Sequence, residues 1–293
     1  CYFFVADLHS LTTHPKPVDF HSGVKTILCE YLASGLDPEK STLFVQSSIP
    51  QVSELYVLLN MLTYKGELER TTSFKDKVRL NPDNVNAGLL TYPVLMAADI
   101  LVHRAHWVPV GKDQEQHLEI TRLLARRFNK LYEVQVFPEP EAYNFGSNLI
   151  KIPGLDGSGK MGKSEENGIY LVDDRKTITK KVMRAVTDTG PTTPGSPMSP
   201  GVANLFTILE VVSEPEVVRY FREQYDNCTI RYGDLKKQLA EDICRHTLPI
   251  KARIEEIYTN GPYLKYVIEK GTEEACTSAN ATMTLVRDAV GFK

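Results

Sequence analysis

The sequence predicts an α/β domain built on a parallel sheet, followed by an all-helical domain. Three features predict it. Short, wholly apolar runs alternate with stretches of helical periodicity in the first half of the chain. Polar residues stand just past the carboxyl ends of those runs, and strand patterns nearly vanish from Arg175 onward. Strands apolar on both faces, alternating with amphipathic helices, are the mark of a parallel sheet joined by right-handed crossovers.

Cys1 to Ala6 reads as the first buried strand, with Asp7, Leu8 and His9 at its carboxyl end. Val24, Ile27, Leu28, Tyr31 and Leu32 recur at helical spacing, and Asp37-Pro38 breaks that helix. Thr42 to Gln46 is a second strand, and Pro50 opens a helix through Leu62. After a polar segment, a helix from Ala87 to Val102 should break or kink at Pro93, which lacks the amide proton a helix interior needs. Trp107 to Val110 is a third strand ending at Gly111, and a helix follows from Asp113 to about Tyr132. Leu149 to Ile152 is the next strand and runs into the glycine-rich segment Gly154 to Ser164. Ile169 to Val172 reads as one more short strand. Beyond it, Leu235, Leu239 and Ile243, then Ile250, Ile254 and Ile257, mark long amphipathic helices kinked around Pro249, and Gly190 to Gly201 is a loop. The expected division is residues 1–185 for the α/β domain and 186–293 for the helical one.

A chain of 293 residues with 42% hydrophobic and 24% charged residues has the composition of a soluble globular protein. It holds no apolar run near the roughly 18 to 20 residues that span a bilayer, so a membrane protein is not expected. A net charge of −3 gives no global attraction for nucleic acid, so any RNA contact needs a local patch. Arg122, Arg126, Arg127 and Lys130 form one such cluster, and Arg175, Lys176, Lys180, Lys181 and Arg184 another; both read equally well as solvated helix faces. The five cysteines are scattered without a C-x-x-C pair, which points to no metal site and to thiols in a reducing compartment.

Three constellations carry chemistry. Gly157-Ser-Gly-Lys-Met-Gly-Lys-Ser164 matches the P-loop pattern letter for letter. A P-loop needs a helix starting at its Lys-Ser, because the helix N-terminus holds the phosphates. The strand expected at Ile169 to Val172 argues against one. The same residues fit a flexible loop whose Lys160 and Lys163 close over a triphosphate and stabilise charge as pyrophosphate leaves. The second constellation is Tyr92-Pro-Val-Leu-Met-Ala-Ala-Asp99, where Tyr92, Met96 and Asp99 share a helix face. A carboxylate on an apolar stripe is either a salt-bridged edge group or an acceptor aimed at a donor-only ligand group such as an indole N–H. The third is Val108-Pro-Val-Gly-Lys-Asp-Gln-Glu-Gln-His117, a strand end and helix start where open α/β sheets place ligands. There Asp113 could meet ribose hydroxyls or cap the helix.

Taken in order, Tyr92 to Leu101, Val108 to Glu119 and Lys160-Met-Gly-Lys-Ser164 closely resemble bacterial and organellar tryptophanyl-tRNA synthetases, which are class I aminoacyl-tRNA synthetases. Gly66 to Arg70, Phe74 to Lys77, Ala185 to Asp188 and Pro200 to Leu205 are similar too, so the resemblance covers nearly the whole chain. It implies a Rossmann-like catalytic domain and a helical anticodon-binding domain whose last helix can pack back on the first. It also implies ATP-dependent activation of L-tryptophan, with Mg²⁺ on the phosphates, and transfer to tRNA(Trp). A homodimer bridged by tRNA is expected in the cytoplasm, or in an organellar matrix. By residue, Asp99 would recognise the indole nitrogen, with Met96, Val108 and Val110 lining the pocket and His9 at its edge. Tyr92 and Gln114 would hold the ammonium and carboxylate of tryptophan, and Gly111 and Asp113 the adenylate ribose. Lys77, Lys160 and Lys163 would attend the phosphates, and Met161, Gly162 and Ser164 complete the ATP loop. Tyrosine-activating relatives usually carry glutamine where Met96 stands, which favours tryptophan.

Two departures qualify the resemblance. Gly162 replaces the usual middle serine of the loop, which should loosen it. No His-Ile-Gly-His-like motif occurs, and since a core parallel strand rarely begins at residue 1, that motif is expected to precede the residues given. A tyrosine-activating relative, a catalytically impaired synthetase-like RNA-binding protein and a P-loop nucleotide hydrolase are the alternatives.

Overall fold

The computed structural model describes residues 1–80, 82–111, 114–143, 151–162 and 165–292. It resolves into two compact units, Cys1–Ser147 with Asn260–Lys293, and Asn148–Thr259. These bounds differ from the expected division at residue 185. The segment after Ser147 groups with the helical unit, and the last helix groups with the strands.

In the first unit, β1 (Tyr2–Val5) pairs in parallel with β2 (Thr42–Val45), Tyr2 opposite Thr42 and Val5 opposite Val45. A second parallel pair joins β3 (Trp107–Pro109) to β4 (Glu141–Tyr143). The described strands thus form two parallel pairs rather than one hydrogen-bonded sheet. β4 was not expected; Glu-Ala-Tyr directly after Pro140 carries no apolar run. Helices α1 (Asp7–Ser10), α2 (Pro17–Ala33), α3 (Pro50–Met61), α4 (Lys65–Glu69), α5 (Thr72–Leu80), α6 (Ala87–Leu101) and α7 (Glu115–Leu131) follow in chain order. Pro17 and Pro50 start α2 and α3, where a missing amide proton is harmless. The polar segment at Lys65–Leu80 turns out to hold two short helices.

Pro93 lies inside an unbroken α6, so the expected break does not occur and Tyr92, Met96 and Asp99 keep one face. The core of this unit is a cluster that includes Phe44, Leu55, Leu101, Leu124 and Phe128, closed by α12 (Gly261–Val290). Gly271 makes that closure possible. A Cβ built there would lie 1.9 Å from the Leu43 carbonyl oxygen, so only glycine lets α12 lie against β2.

His103, just past α6, stacks on Tyr2 at 4.3 Å, and its Nδ1 lies 3.2 Å from Ser278 Oγ, while its Nε2 is buried without a partner. Burial lowers its pKa from 6.5 to about 4. The unfolded chain therefore binds the extra proton first, and stability contributed by neutral His103 is complete above about pH 6.5 and falls as pH drops toward 4. The span corresponds to at most about 3 kcal/mol. Urea unfolding of wild type and His103→Phe at pH 7 and pH 4.5 should show a smaller acid loss in the variant; equal losses would reject the assignment.

The second unit holds α8 (Arg175–Met183), α9 (Pro200–Val212), α10 (Pro215–Asp226) and α11 (Tyr232–Thr259), the last running through Pro249. Val182, Leu205, Phe206, Leu209, Leu235 and Leu239 form its core. One expected strand is not formed. At Ile169–Val172 the chain turns, because the Tyr170 amide donates to Asp173 Oδ2 at 2.9 Å and the Asp173 amide to the Tyr170 carbonyl at 3.0 Å. Of Leu149–Ile152 only the last two residues are described, and Ile152 accepts from the Met161 amide inside the loop instead of from a strand.

Candidate active site

In the first unit, Asp7 and His9 follow β1, Gln46 follows β2, and Asp99 projects from α6. The ends of two strands and one helix face thereby bring them together. Gln46 is fully buried, and its orientation is fixed: the Leu8 amide donates to Gln46 Oε1 at 3.1 Å, so Nε2 points the other way. Nε2 donates to Oδ1 and Oδ2 of Asp99, at 2.9 and 2.8 Å, and His9 Nδ1 lies 3.0 Å from Nε2 and 3.3 Å from Oε1. Burial lowers the His9 pKa, with Gln46 opposing it, so the neutral ring is favoured. Asp99 is 6% exposed; burial pushes its pKa well above the ordinary aspartate value, the Gln46 hydrogen bonds oppose that, and the charge of Asp7 adds to it. Asp7 Oδ1 accepts from the Leu8 and Ser47 amides, both at 2.9 Å.

A second network adjoins this one through Tyr92, whose ring meets His9 edge-on at 6.4 Å. Buried His117 has Nδ1 2.8 Å from Gln114 Oε1, and its Nε2 lies 2.9 Å from the Tyr92 hydroxyl and 2.8 Å from Ser73 Oγ. Burial raises the Tyr92 pKa. Lys77 is an exposed residue, yet its ammonium lies 3.8 Å from the centre of the Tyr92 ring, where partial loss of water lowers its pKa. Met96, Val108 and Val110 are half-buried, and the Gly111 carbonyl accepts from the Gln114 amide at 2.9 Å. His9, Tyr92, Asp99, Lys77 and Gln114 are thus joined by direct contacts or through Gln46 and His117. Asp113 lies outside the described residues.

Gln46, Ser73 and His117 received no role from the sequence. Gln46 was legible in principle, since it occupies the same place after β2 that Asp7 and His9 occupy after β1. Ser73 and His117 carry no pattern of their own.

Lys160, Met161 and Gly162 belong to the second unit; Lys163 and Ser164 lie outside the described residues. Lys160 is exposed, and Met161 and Gly162 are half-buried. No helix occupies residues 165–174, the next being α8 at Arg175, so the context of a P-loop is not met there. Gly162 is less loose than expected, because its amide donates to Asn167 Oδ1 at 2.9 Å. The basic clusters are largely paired. Arg122 bonds Glu119, Arg126 bonds Glu139 at 2.7 Å, and Arg127 bonds Glu67 at 2.7 Å. Lys181 bonds Asp173 at 2.6 Å and Arg175 bonds Glu241 at 2.5 Å.

The family pattern described as tRNA synthetases class I (W and Y) matches residues 1–246. A tryptophan–tRNA ligase of Porphyromonas gingivalis is 60% identical over 293 residues, covering all of this chain and 90% of the relative. One from Clostridium tetani is 40% identical and covers all of this chain and 86% of its own. Among solved structures, the tryptophanyl-tRNA synthetase of Campylobacter jejuni complexed with ADP and tryptophan superposes with a TM-score of 0.88. It is 30% identical and covers 99% of this chain and 89% of its own. With its strand-end carboxylate and lysine loop in that setting, the chain belongs to the class I tRNA synthetases of the tryptophan and tyrosine family, in the tryptophan–tRNA ligase branch.

Proposed function

We propose that the first unit binds L-tryptophan through Asp99 and that the lysine loop of the second handles the phosphates of ATP. The observation that carries this reading is the Asp99 carboxyl group, buried on α6 with both of its oxygens accepting from Gln46. A carboxylate has about four acceptor positions, so those left by Gln46 suit the single donor of an indole. Met96, Val108 and Val110 line the pocket and His9 closes its edge. Tyr92 and Gln114 hold the ammonium and carboxylate ends, and Gly111 and Asp113 the ribose.

The ligase reaction has two steps. The tryptophan carboxylate attacks the α-phosphate of ATP, forming tryptophanyl-adenylate and releasing pyrophosphate. The terminal ribose hydroxyl of tRNA(Trp) then takes the aminoacyl group and AMP leaves. Lys77, Lys160 and Lys163, with Met161, Gly162 and Ser164, balance the charge that gathers on the departing phosphates. Mg²⁺ accompanies ATP, carried on its phosphates. The helical unit reads the anticodon, tRNA spans a homodimer, and the protein works in the cytoplasm. No helix among the described residues is long and apolar enough to cross a membrane.

Pyrophosphate exchange tested with each of the twenty amino acids should be stimulated by tryptophan and by no other at comparable concentration. Equal stimulation by tyrosine would reject the pocket assignment.

A further inference from the structure

Asn167 is buried at the base of the lysine loop, and every hydrogen bond of its side chain goes to residues 156–162. Oδ1 accepts from the Gly162 amide at 2.9 Å, which fixes the orientation of the side chain. Nδ2 lies within reach of three acceptors: the Lys160 carbonyl at 3.0 Å, Ser158 Oγ at 2.9 Å and Asp156 Oδ1 at 3.0 Å. Its own carbonyl accepts from the Leu155 amide at 3.0 Å. One residue therefore ties both sides of Met161 to the turn at Asp156–Ser158. Gly154 allows this approach, since a Cβ there would lie 2.3 Å from Asn167 Nδ2. From α9, Asn204 Nδ2 donates to the Gly154 carbonyl at 2.9 Å and the Ser158 carbonyl at 2.8 Å, so the near limb of the loop is fastened to a helix as well.

We propose that Asn167 is a positioning residue for adenylate formation, holding the limb that carries Lys160 in a preformed path despite its glycines. The inference rests on the reading of this loop as the phosphate-handling one. Two bonds to the backbone on either side of Met161 fix where the Lys160 side chain leaves the chain, and that sets the reach of its ammonium. A glycine-rich strand without this staple samples many paths, and small misplacements of a charge-stabilising group are expensive in rate. No other side chain type offers one acceptor and two donors on so short a stem.

Asn167→Asp keeps the volume and the acceptor for Gly162 but turns a charge toward the Lys160 carbonyl, Ser158 and Asp156. Pyrophosphate exchange in this variant should fall roughly 100-fold in kcat, with the Kd of tryptophan alone within about twofold of wild type, as expected for a group that acts only through the lysine. Lys160→Ala run in parallel separates the two claims. If it leaves exchange intact, the phosphate reading fails and this inference with it. If it abolishes exchange while Asn167→Asp stays within about threefold of wild type, the role of Asn167 alone is rejected; so is it if exchange and tryptophan binding fall together. Limited trypsin digestion of Asn167→Ala gives a reading independent of activity. Cleavage after Lys160 should speed up at least about 10-fold, with other sites unchanged, because a released limb opens far more often; an unchanged rate there overturns the proposal.

Discussion

Replacing either loop lysine, in Lys160→Ala or Lys163→Ala, is expected to lower tryptophan-dependent pyrophosphate exchange by roughly 100- to 1000-fold, while the Kd of tryptophan moves less than about twofold. The split follows from where charge appears. Tryptophan bound alone presents no new negative charge to the second unit, whereas the departing pyrophosphate gathers it. A lysine that acts there lowers the barrier without contributing to ground-state amino-acid binding. Lys160 is solvent-exposed, so its ammonium is open to an incoming phosphate. Steady-state exchange at saturating tryptophan, with the amino acid's affinity measured separately by calorimetry, decides the matter. Exchange within a factor of three of wild type in both variants would remove the loop from the reaction.

Much of this was legible in the sequence because it lies in local patterns. β1, β2, α2, α3, α6 and α11 fall close to where apolar periodicity and proline starts put them. The acceptor at Asp99 was visible as a carboxylate on an apolar stripe, and the lysine loop as two cations among glycines. What was hidden is tertiary. Pro93 predicted a broken or kinked helix, and α6 runs through it without a break, because packing outweighs the loss of one amide proton. Gly162 predicted a loose loop, and a side chain five residues away fastens it. Ile169–Val172 has the letters of a strand, yet the nearby Asp173 carboxylate and the backbone around it close a turn. Gln46 is the instructive omission. Its role depends on a partner 53 residues away, and no periodicity records such a pairing.

That pairing makes Asp99→Asn the second large effect. With aspartate, Gln46 Nε2 and an indole N–H both find acceptors. An asparagine offers one acceptor and one donor group, so whichever way it turns, one of the two partners meets an N–H. Leaving a buried donor unsatisfied beside a formerly charged acceptor costs about 3 kcal/mol, which is at least about 100-fold in kcat/KM for tryptophan. An analogue with sulfur in place of the indole nitrogen lacks that donor and should change by less than about threefold, so the variant loses its preference between the two. The fold itself gains, because a carboxylate whose burial raises its pKa is an unfavourable charge to bury. Asp99→Asn should therefore unfold at the same temperature as wild type or higher, and this distinguishes a damaged pocket from a damaged protein. A variant that still prefers tryptophan over the sulfur analogue as strongly as wild type would place the indole nitrogen elsewhere than on Asp99.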